Sequence, residues 1–295
     1  MIINRVTLIT TTYNNWHLLD KAIASVAKQN ISKEYEVEYF IVDDGTKNFN
    51  HEYVHNLISK LKINTKLIFN KQNVGSVASA NNVIRQSSGD VVVFISADDE
   101  FYDENVIDRI VKEFMKTNAN IITGYRLPVL DGVEQPPLPE KRKIPLFSNQ
   151  AALLKHLILH GNFISGASTA YSRSVLDQLG FFDERYRLLE DYPFYVKALS
   201  LGINIHFMEH VFIRYGLGGV STSKVPNPIL QNDLSCFYKN IILEVKGFSL
   251  WEKRFFTYSK VMSRREKISN SYKYPDVISL ILFIRIFNFI HKVIS

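Results

Sequence analysis

The stretch Gly89–Phe101, GDVVVFISADDEF, decides the fold. Val91–Ile95 is a run of strand-forming apolar residues, preceded by the stop signal Ser88-Gly89, and it reads as a buried strand. Asp98-Asp99 follows at once and so stands where the strand ends. Carboxylates at such a place can hold a hard divalent cation. A second acidic doublet, Glu190-Asp191, opens a helix-like segment. A carboxylate there, facing the same cleft, can act as a general base. The two doublets together point to chemistry on a metal-bound, phosphate-bearing substrate. Capping of the following helix is the plainer use of Asp98-Asp99, but Asp103 directly precedes that helix and fits the task better.

Outward from this strand the first 125 residues alternate strand and helix. Strands are expected over Arg5–Thr11, Val37–Val42, Lys66–Phe69 and Asn120–Thr123, and helices over Trp16–Gln29, Glu52–Leu61, Val74–Gln86 and Glu104–Lys116. Leu19, Ile23 and Val26 are spaced to share one helix face, and Asn14 or Asn15 can cap that helix. Repeated strand–helix–strand units imply an α/β fold with a mostly parallel sheet covered on both faces. Ligands of such sheets bind beyond the carboxyl ends of the strands. Thr11, Asp43-Asp44 and Asp98-Asp99 all fall at such ends, which packing alone does not explain.

Beyond residue 125 the pattern changes. Pro128–Pro145 reads as a loop or joint. Helices are expected over Asn149–Leu159, Ser174–Leu179 and Glu190–Leu201. Strands are expected over Asn162–Ser172, Ile203–Phe207 and Val211–Tyr215. Gly216–Ser223 is a Gly/Ser-rich loop, and from Pro228 the pattern is helical. Three regions follow: 1–125, 126–225 and a helical extension over 226–295. Val277–Ile294 is strongly apolar but carries Arg285, Asn288, His291 and Lys292. That is too short and polar for a spanning helix. It suits either an interfacial helix on a membrane, with Leu280, Phe283, Phe287 and Ile290 on one side, or a helix docked on the domain or on a second subunit.

The chain has 295 residues, 46% hydrophobic and 22% charged, which fits one large domain or two fused halves with a sizeable core. A single cysteine, Cys236, excludes an intramolecular disulfide. The start lacks the pattern of a signal peptide, and a cytoplasmic protein is expected. The net charge of +6 suits anionic partners. Much of it falls late, at Lys246, Lys253, Arg254, Lys260, Arg264, Arg265, Lys267 and Lys273, where a solvated helix face is the plainer account. No Walker loop, dinucleotide fingerprint, zinc-ligand spacing or nucleophile elbow occurs. Asp43-Asp44-Gly45 alone is a common turn, and Asn73-Val74-Gly75 alone an ordinary helix start that can also favour an anion.

Four segments in order resemble the inverting family 2 glycosyltransferases of GT-A fold: VTLITTTYNN (6–15), FIVDDGT (40–46), NVGSVASANNVIRQSSGDVVVFISADDEF (73–101) and GFFDERYRLLEDYPFYVKALSLG (180–202). The resemblance spans about residues 5–223, and it implies that 1–125 is a nucleotide-sugar-binding half and 126–225 an acceptor-binding and catalytic-base half. It implies that Thr11 and Tyr13 lie against the nucleotide, that Asp44 bonds the base with Asp43 beside it, and that Asn73 and Gly75 border the donor, supported by Asn81 and Arg85. Asp98 would contact ribose or donor sugar, Asp99 would coordinate Mn²⁺ or Mg²⁺, and Asp191 would be the catalytic base. Asn162–Thr169, Asp183-Glu184 and Gly216–Ser223 would face the acceptor, and the last of these would close over the donor. Two departures stand out: Ser96 replaces an acidic residue common two positions before Asp98, and Gly216 stands where many members carry a histidine, leaving His210 a weak candidate third ligand.

The implied reaction moves a sugar from a nucleoside diphosphate, UDP by the family's commonest usage, to a glycan or lipid-linked acceptor in bacterial surface-polysaccharide synthesis. Rival readings are a deoxythymidine-linked rhamnose donor, a nucleotidyltransferase (disfavoured because Thr10–Asn15 holds neither glycine nor arginine) and a non-catalytic sugar-nucleotide-binding subunit. Nucleic acid is not an expected partner.

Overall fold

The structure is a computed structural model that describes residues 1–217, 225–244 and 247–294. Two compact units divide it, one of residues 1–157 and 162–233, the other of 158–161 and 234–295. Residues 218–223 of the glycine/serine loop, Lys246, and the side chains of Asn288, Ile290, His291 and Lys292 lie outside what is described.

The first unit opens with three βα steps. Strands β1 (Arg5–Thr12), β2 (Glu36–Asp43), β3 (Asn64–Phe69) and β4 (Val91–Phe94) alternate with helices α1 (Leu19–Ala27), α2 (His51–Ile58) and α3 (Ser76–Gln86). The pairs β1–β2, β1–β4 and β2–β3 are parallel, as βα repeats dictate. β1 is buried almost throughout because sheet neighbours and helices cover it, and Leu19, Ile23 and Val26 of α1 are sealed in the core as their spacing predicts. The short strand β5 (Glu100–Phe101) and helix α4 (Val106–Thr117) follow.

The sheet then becomes mixed. β6 (Ile121–Leu130) ends in a small hairpin with β7 (Val133–Glu134). After a 3-10 segment (Lys141–Ser148), α5 (Gln150–His160) and a 3-10 turn (Gly166–Ser168) comes β8 (Thr169–Ser172). Helices α6 (Arg173–Leu179) and α7 (Asp191–Ser200) precede the last strand, β9 (Ile205–Gly216). The order across the sheet is β3-β2-β1-β4-β8-β6-β9-β5. β8 runs antiparallel to both β4 and β6, so both halves of the chain contribute to one continuous sheet.

Three expectations need correction. Pro128–Pro145 is not a plain loop, since it holds the end of β6, the β7 hairpin and most of a 3-10 segment. Only Thr169–Ser172 of the expected strand 162–172 is extended. The two strands expected over 203–215 are one long strand, with β-bulge irregularities in the β6–β9 register around Tyr125.

The second unit is helical. Most of α8 (Pro228–Glu244), then α9 (Leu250–Phe256), a π-helical turn (Thr257–Val261), α10 (Arg264–Ser269) and α11 (Pro275–Ile294) lie in it. Ser249/Glu252 and Ser263/Glu266 close reciprocal capping boxes that start α9 and α10. Arg254 pairs with Asp276 at 3.0 Å. No described helix is long and apolar enough to cross a membrane.

Candidate active site

Strand ends and helix starts converge at one place. A small cavity of about 60 Å³ is lined by Thr11 of β1, Ser76 of α3, Ser96 just after β4, Gly166 of the 3-10 turn, and Glu190. Glu190 is the N-cap residue of α7 and Asp191 its first helical residue. The second acidic doublet is thus presented to the carboxyl ends of the parallel strands.

Asp191 is tightly held. Its Oδ1 accepts the N–H of Tyr192 at 2.6 Å, and its Oδ2 accepts Gly166 N–H at 3.1 Å and Asn162 Nδ2 at 3.2 Å. A Cβ at Gly166 would stand 3.2 Å from the Asp191 Cβ, so the bare backbone lets the donor close. Residues 166–168 form a 3-10 turn in place of the expected strand. Burial lifts the Asp191 carboxyl above its ordinary pKa, while these hydrogen bonds and the Arg126 charge pull it back. Glu190 is pushed up to about 7, first by burial and then by the Asp191 charge. Its Oε2 accepts Ser76 Oγ at 3.2 Å.

Asp99 is completely buried. Its Oδ1 accepts the N–H of Gly216 at 2.9 Å, while Oδ2 is buried with no partner. Burial first, then the Asp98 charge, holds the Asp99 carboxyl well above its ordinary range. Asp98 is partly exposed and also raised by burial. An orphaned carboxylate oxygen beside a second carboxylate fits a hard cation that takes its remaining ligands from phosphates and water. Among the described residues no third His, Cys, Asp or Glu joins them. His210 acts electrostatically on Asp103 instead, and Gly216 offers Asp99 its backbone N–H. A Cβ at Gly216 would come 2.5 Å from the Asp98 carbonyl oxygen, so a histidine does not fit this backbone unchanged.

Asp43 and Asp44, at the end of β2, divide their labour. Asp44, assigned to the base by resemblance, is spent on the protein: Oδ1 accepts Val74 N–H (2.9 Å), Asn70 Nδ2 (2.9 Å) and Ser79 Oγ (3.0 Å), and Oδ2 accepts Gly75 N–H (2.8 Å). Asp43 uses Oδ2 for Thr46 N–H at 2.7 Å and leaves Oδ1 buried without a partner. Of the two carboxylates, Asp43 is the one that keeps an oxygen without a protein partner. Tyr13, 48% exposed, stands just past the end of β1.

Gly75 has φ +97°, and a Cβ there would meet the Arg187 carbonyl oxygen at 2.5 Å. Arg187 bonds Asn73 through its guanidinium, to the main-chain oxygen at 3.2 Å and Oδ1 at 2.7 Å. Asn81 and Arg85 are held elsewhere. Asn81 is buried and exchanges hydrogen bonds with Phe182 while donating to Glu184; Arg85 pairs with Glu184 at 2.7 Å. Both tie α3 to the 182–184 segment, and Glu184 is engaged there too. Asp183 pairs with Arg185 at 2.6 Å.

Sequence reading missed Arg126, whose charge acts on both Asp99 and Asp191 and whose guanidinium lies over the Tyr215 ring at 5.5 Å. It also missed Ser76, Asn162 as a direct Asp191 partner, and Asp233, which is buried and bonds the backbone of Arg187 and Leu188. An isolated Arg on an irregular strand gives no local signal, and Asp233 lies over forty residues from the segment it holds.

Comparison with known proteins follows the same lines. The profile of Glycosyl transferase family 2 matches residues 7–180. The chain belongs to that family. Its catalytic class is accordingly a glycosyltransferase, as its relatives are named. An uncharacterized glycosyltransferase of Haemophilus influenzae is 28% identical over 231 residues, covering 75% of this chain and 68% of the relative. The O-antigen chain rhamnosyltransferase RfbN of Salmonella typhimurium is 25% identical over 218 residues, covering 72% and 66%. S. aureus TarS 1-349, solved with UDP-GlcNAc, shares the fold with a TM-score of 0.63 at 17% identity over 90% of this chain and 75% of that 1-349 chain. A mannosyltransferase of Pyrobaculum calidifontis, solved with GDP-Man and Mn²⁺, gives 0.58 at 15% over 93% and 73%. The family 2 member described here thus has the GT-A fold that its segments predict.

Proposed function

We propose that the chain transfers a sugar, with inversion and with the help of a divalent cation, from a nucleoside-diphosphate sugar to a hydroxyl of a glycan or lipid-linked acceptor in bacterial surface-polysaccharide synthesis, such as capsule or O-antigen. The observation that carries this reading is Asp191, held by Gly166, Asn162 and its own helix start beside the ends of the parallel strands.

In this reading Tyr13 packs on the nucleobase and Thr11 lies below it. The free Oδ1 of Asp43 accepts the imide N–H of a uracil or thymine ring. Val74 and Gly75, fixed by Asp44, border the donor. Asp98 and Asp99 hold Mn²⁺ or Mg²⁺, which when bound offsets the charge gathering on the leaving diphosphate. Arg126 adds a positive charge that acts on both Asp99 and Asp191. Asp191 takes the proton of the acceptor hydroxyl as it attacks the anomeric carbon from the far side. One displacement inverts the centre, so no enzyme nucleophile is required. The structures of relatives with UDP, UDP-GlcNAc and GDP-Man bound support a nucleotide-sugar donor. Asp191→Asn tests the base: transfer falls by at least about a hundredfold while UDP affinity stays within about twofold. Unchanged turnover removes Asp191 from the role.

A deoxythymidine-linked rhamnose donor is the second reading, favoured by two relatives named as O-antigen chain rhamnosyltransferases at 25% and 26% identity. For location, we read the second unit as resting on the cytoplasmic face of the membrane. Residues 234–295 carry eleven Lys and Arg against four Asp and Glu, a net +7 that exceeds the whole chain's +6. Phe283, Ile286 and Phe287 on α11 are each more than half exposed. Cationic residues with exposed apolar ones suit an anionic lipid surface. A homodimer through the same helices is the competing use of that surface.

A further inference from the structure

Asp233 of α8 is a buried carboxylate with no part in the chemistry described so far. Its Oδ2 accepts two consecutive backbone N–H groups, Arg187 at 2.8 Å and Leu188 at 2.7 Å. Those residues sit in the irregular stretch between α6 and α7, where no helix or strand ladder takes up the main-chain donors. Two residues further on, the chain delivers Glu190 and Asp191.

The other side of the same stretch is bonded to the donor loop. The Arg187 carbonyl accepts Val77 N–H at 3.2 Å, the Arg187 guanidinium grips Asn73, and Ser76 Oγ donates to Glu190. Gly75 packs directly on the Arg187 carbonyl. The stretch is thus pinned from α8 on one side and from the start of α3 on the other. Asp233 supplies the first of these pins, and nothing else described takes the Arg187 and Leu188 N–H groups.

We propose that Asp233 is a positioning residue for the transfer reaction: by capturing the N–H groups of Arg187 and Leu188 it sets where the Glu190-Asp191 doublet stands relative to the donor loop. The proposal rests on the assignment of Asp191 as the base. A base displaced by about an ångström loses much of its rate while the nucleotide contacts made from β1, β2 and α3 stay intact. The effect of losing Asp233 therefore falls on kcat and spares the donor KM.

The test compares wild type, Asp233→Ala and Asp233→Asn. Each is first checked for cooperative thermal unfolding well above the assay temperature. Turnover of UDP-GlcNAc and dTDP-rhamnose is then followed by release of nucleoside diphosphate in Mn²⁺, at about pH 8 so that the base is ionised. Amide hydrogen exchange over residues 185–192 is measured in parallel without substrate. Asp233→Ala should lower kcat by about tenfold or more, leave KM within about twofold, and speed exchange at Arg187 and Leu188. Asparagine keeps an oxygen that can accept both N–H groups, so Asp233→Asn should recover most of the lost kcat. A kcat for Asp233→Ala within about twofold of wild type overturns the proposal. So does a rise in KM at unchanged kcat, or faster exchange without loss of rate. If the alanine variant does not fold, a kcat for Asp233→Asn that falls as far as that of Asp191→Asn also overturns it. Absence of turnover by wild type with both donors counts against the donor reading. In that case the exchange measurement decides for Asp233: unaltered protection at 187–192 in the alanine variant refutes the pin.

Discussion

Asp43 and Asp44 stand side by side, and removing each should do a different thing. Asp44→Ala takes away the acceptor of Val74 N–H, Gly75 N–H, Ser79 Oγ and Asn70 Nδ2 together. Ser79 and Asn70 can still bond each other at 2.8 Å, but the two backbone donors have no such alternative. A buried donor left unpaired costs about 1–3 kcal/mol, and bonds to a carboxylate sit at the upper end. Two stranded donors plus a weakened network come to about 3–5 kcal/mol. At about 2–4 °C per kcal/mol for a domain of this size, Tm should fall on the order of 10 °C. Asp43→Ala loses one turn bond, to Thr46, and also removes the orphaned Oδ1. Its stability cost should stay near 1 kcal/mol. If Oδ1 accepts the imide of the base, that variant loses about 1.5–3 kcal/mol of binding, or roughly 10- to 100-fold in Kd. Thermal unfolding and calorimetric titration with UDP in Mn²⁺ measure both. An Asp44→Ala protein that melts like wild type yet loses UDP, beside an Asp43→Ala protein that binds normally, would refute the reasoning and return the base contact to Asp44.

Further outcomes follow from the same geometry. Asp99→Ala should abolish the Mn²⁺-dependent part of UDP affinity and leave the metal-free part nearly unchanged; equal titrations with and without Mn²⁺ in wild type would contradict the ligand role. The pH profile of kcat/KM should carry an acidic limb above the ordinary aspartate range, because the base acts ionised and the Glu190-Asp191 pair holds its protons more tightly than free carboxylates do. Activity therefore falls as pH drops through the raised range, Glu190→Gln shifts that limb to lower pH, and a wild-type limb near pH ~4 would defeat the claim. Flotation with anionic vesicles should carry the full chain upward and fail after removal of residues 274–295. Equal behaviour of the two would favour a helix docked on protein.

Much of this architecture is written locally in the chain. Val91–Phe94 reads as a strand because its apolar residues are consecutive and bounded, and the two acidic doublets declare themselves by position. The second half is less legible because its strands are irregular. β6 contains Gly124 and Pro128, and β9 exposes Glu209 and His210 in mid-strand, so neither shows an unbroken apolar pattern. The 3-10 turn at Gly166 brings a backbone N–H to Asp191, a contact visible only when residues 166 and 191 meet. Within the site, sequence locates Asp43-Asp44 but does not tell which carboxylate the backbone of Val74 and Gly75 engages. Asn81 and Arg85 lie on α3, yet their partners, Phe182 and Glu184, come from about a hundred residues away. Arg126 and Asp233 matter through distant partners alone and carry no motif.

One measurement tests the central claim most directly: incubate the protein with a panel of UDP-, dTDP- and GDP-sugars in Mn²⁺ or Mg²⁺ and score released nucleoside diphosphate, alongside Asp191→Asn and calorimetric binding of each nucleotide. Metal-dependent release from one donor, lost in Asp191→Asn while that nucleotide still binds, is the predicted result. Failure of every nucleoside diphosphate to bind would contradict the account.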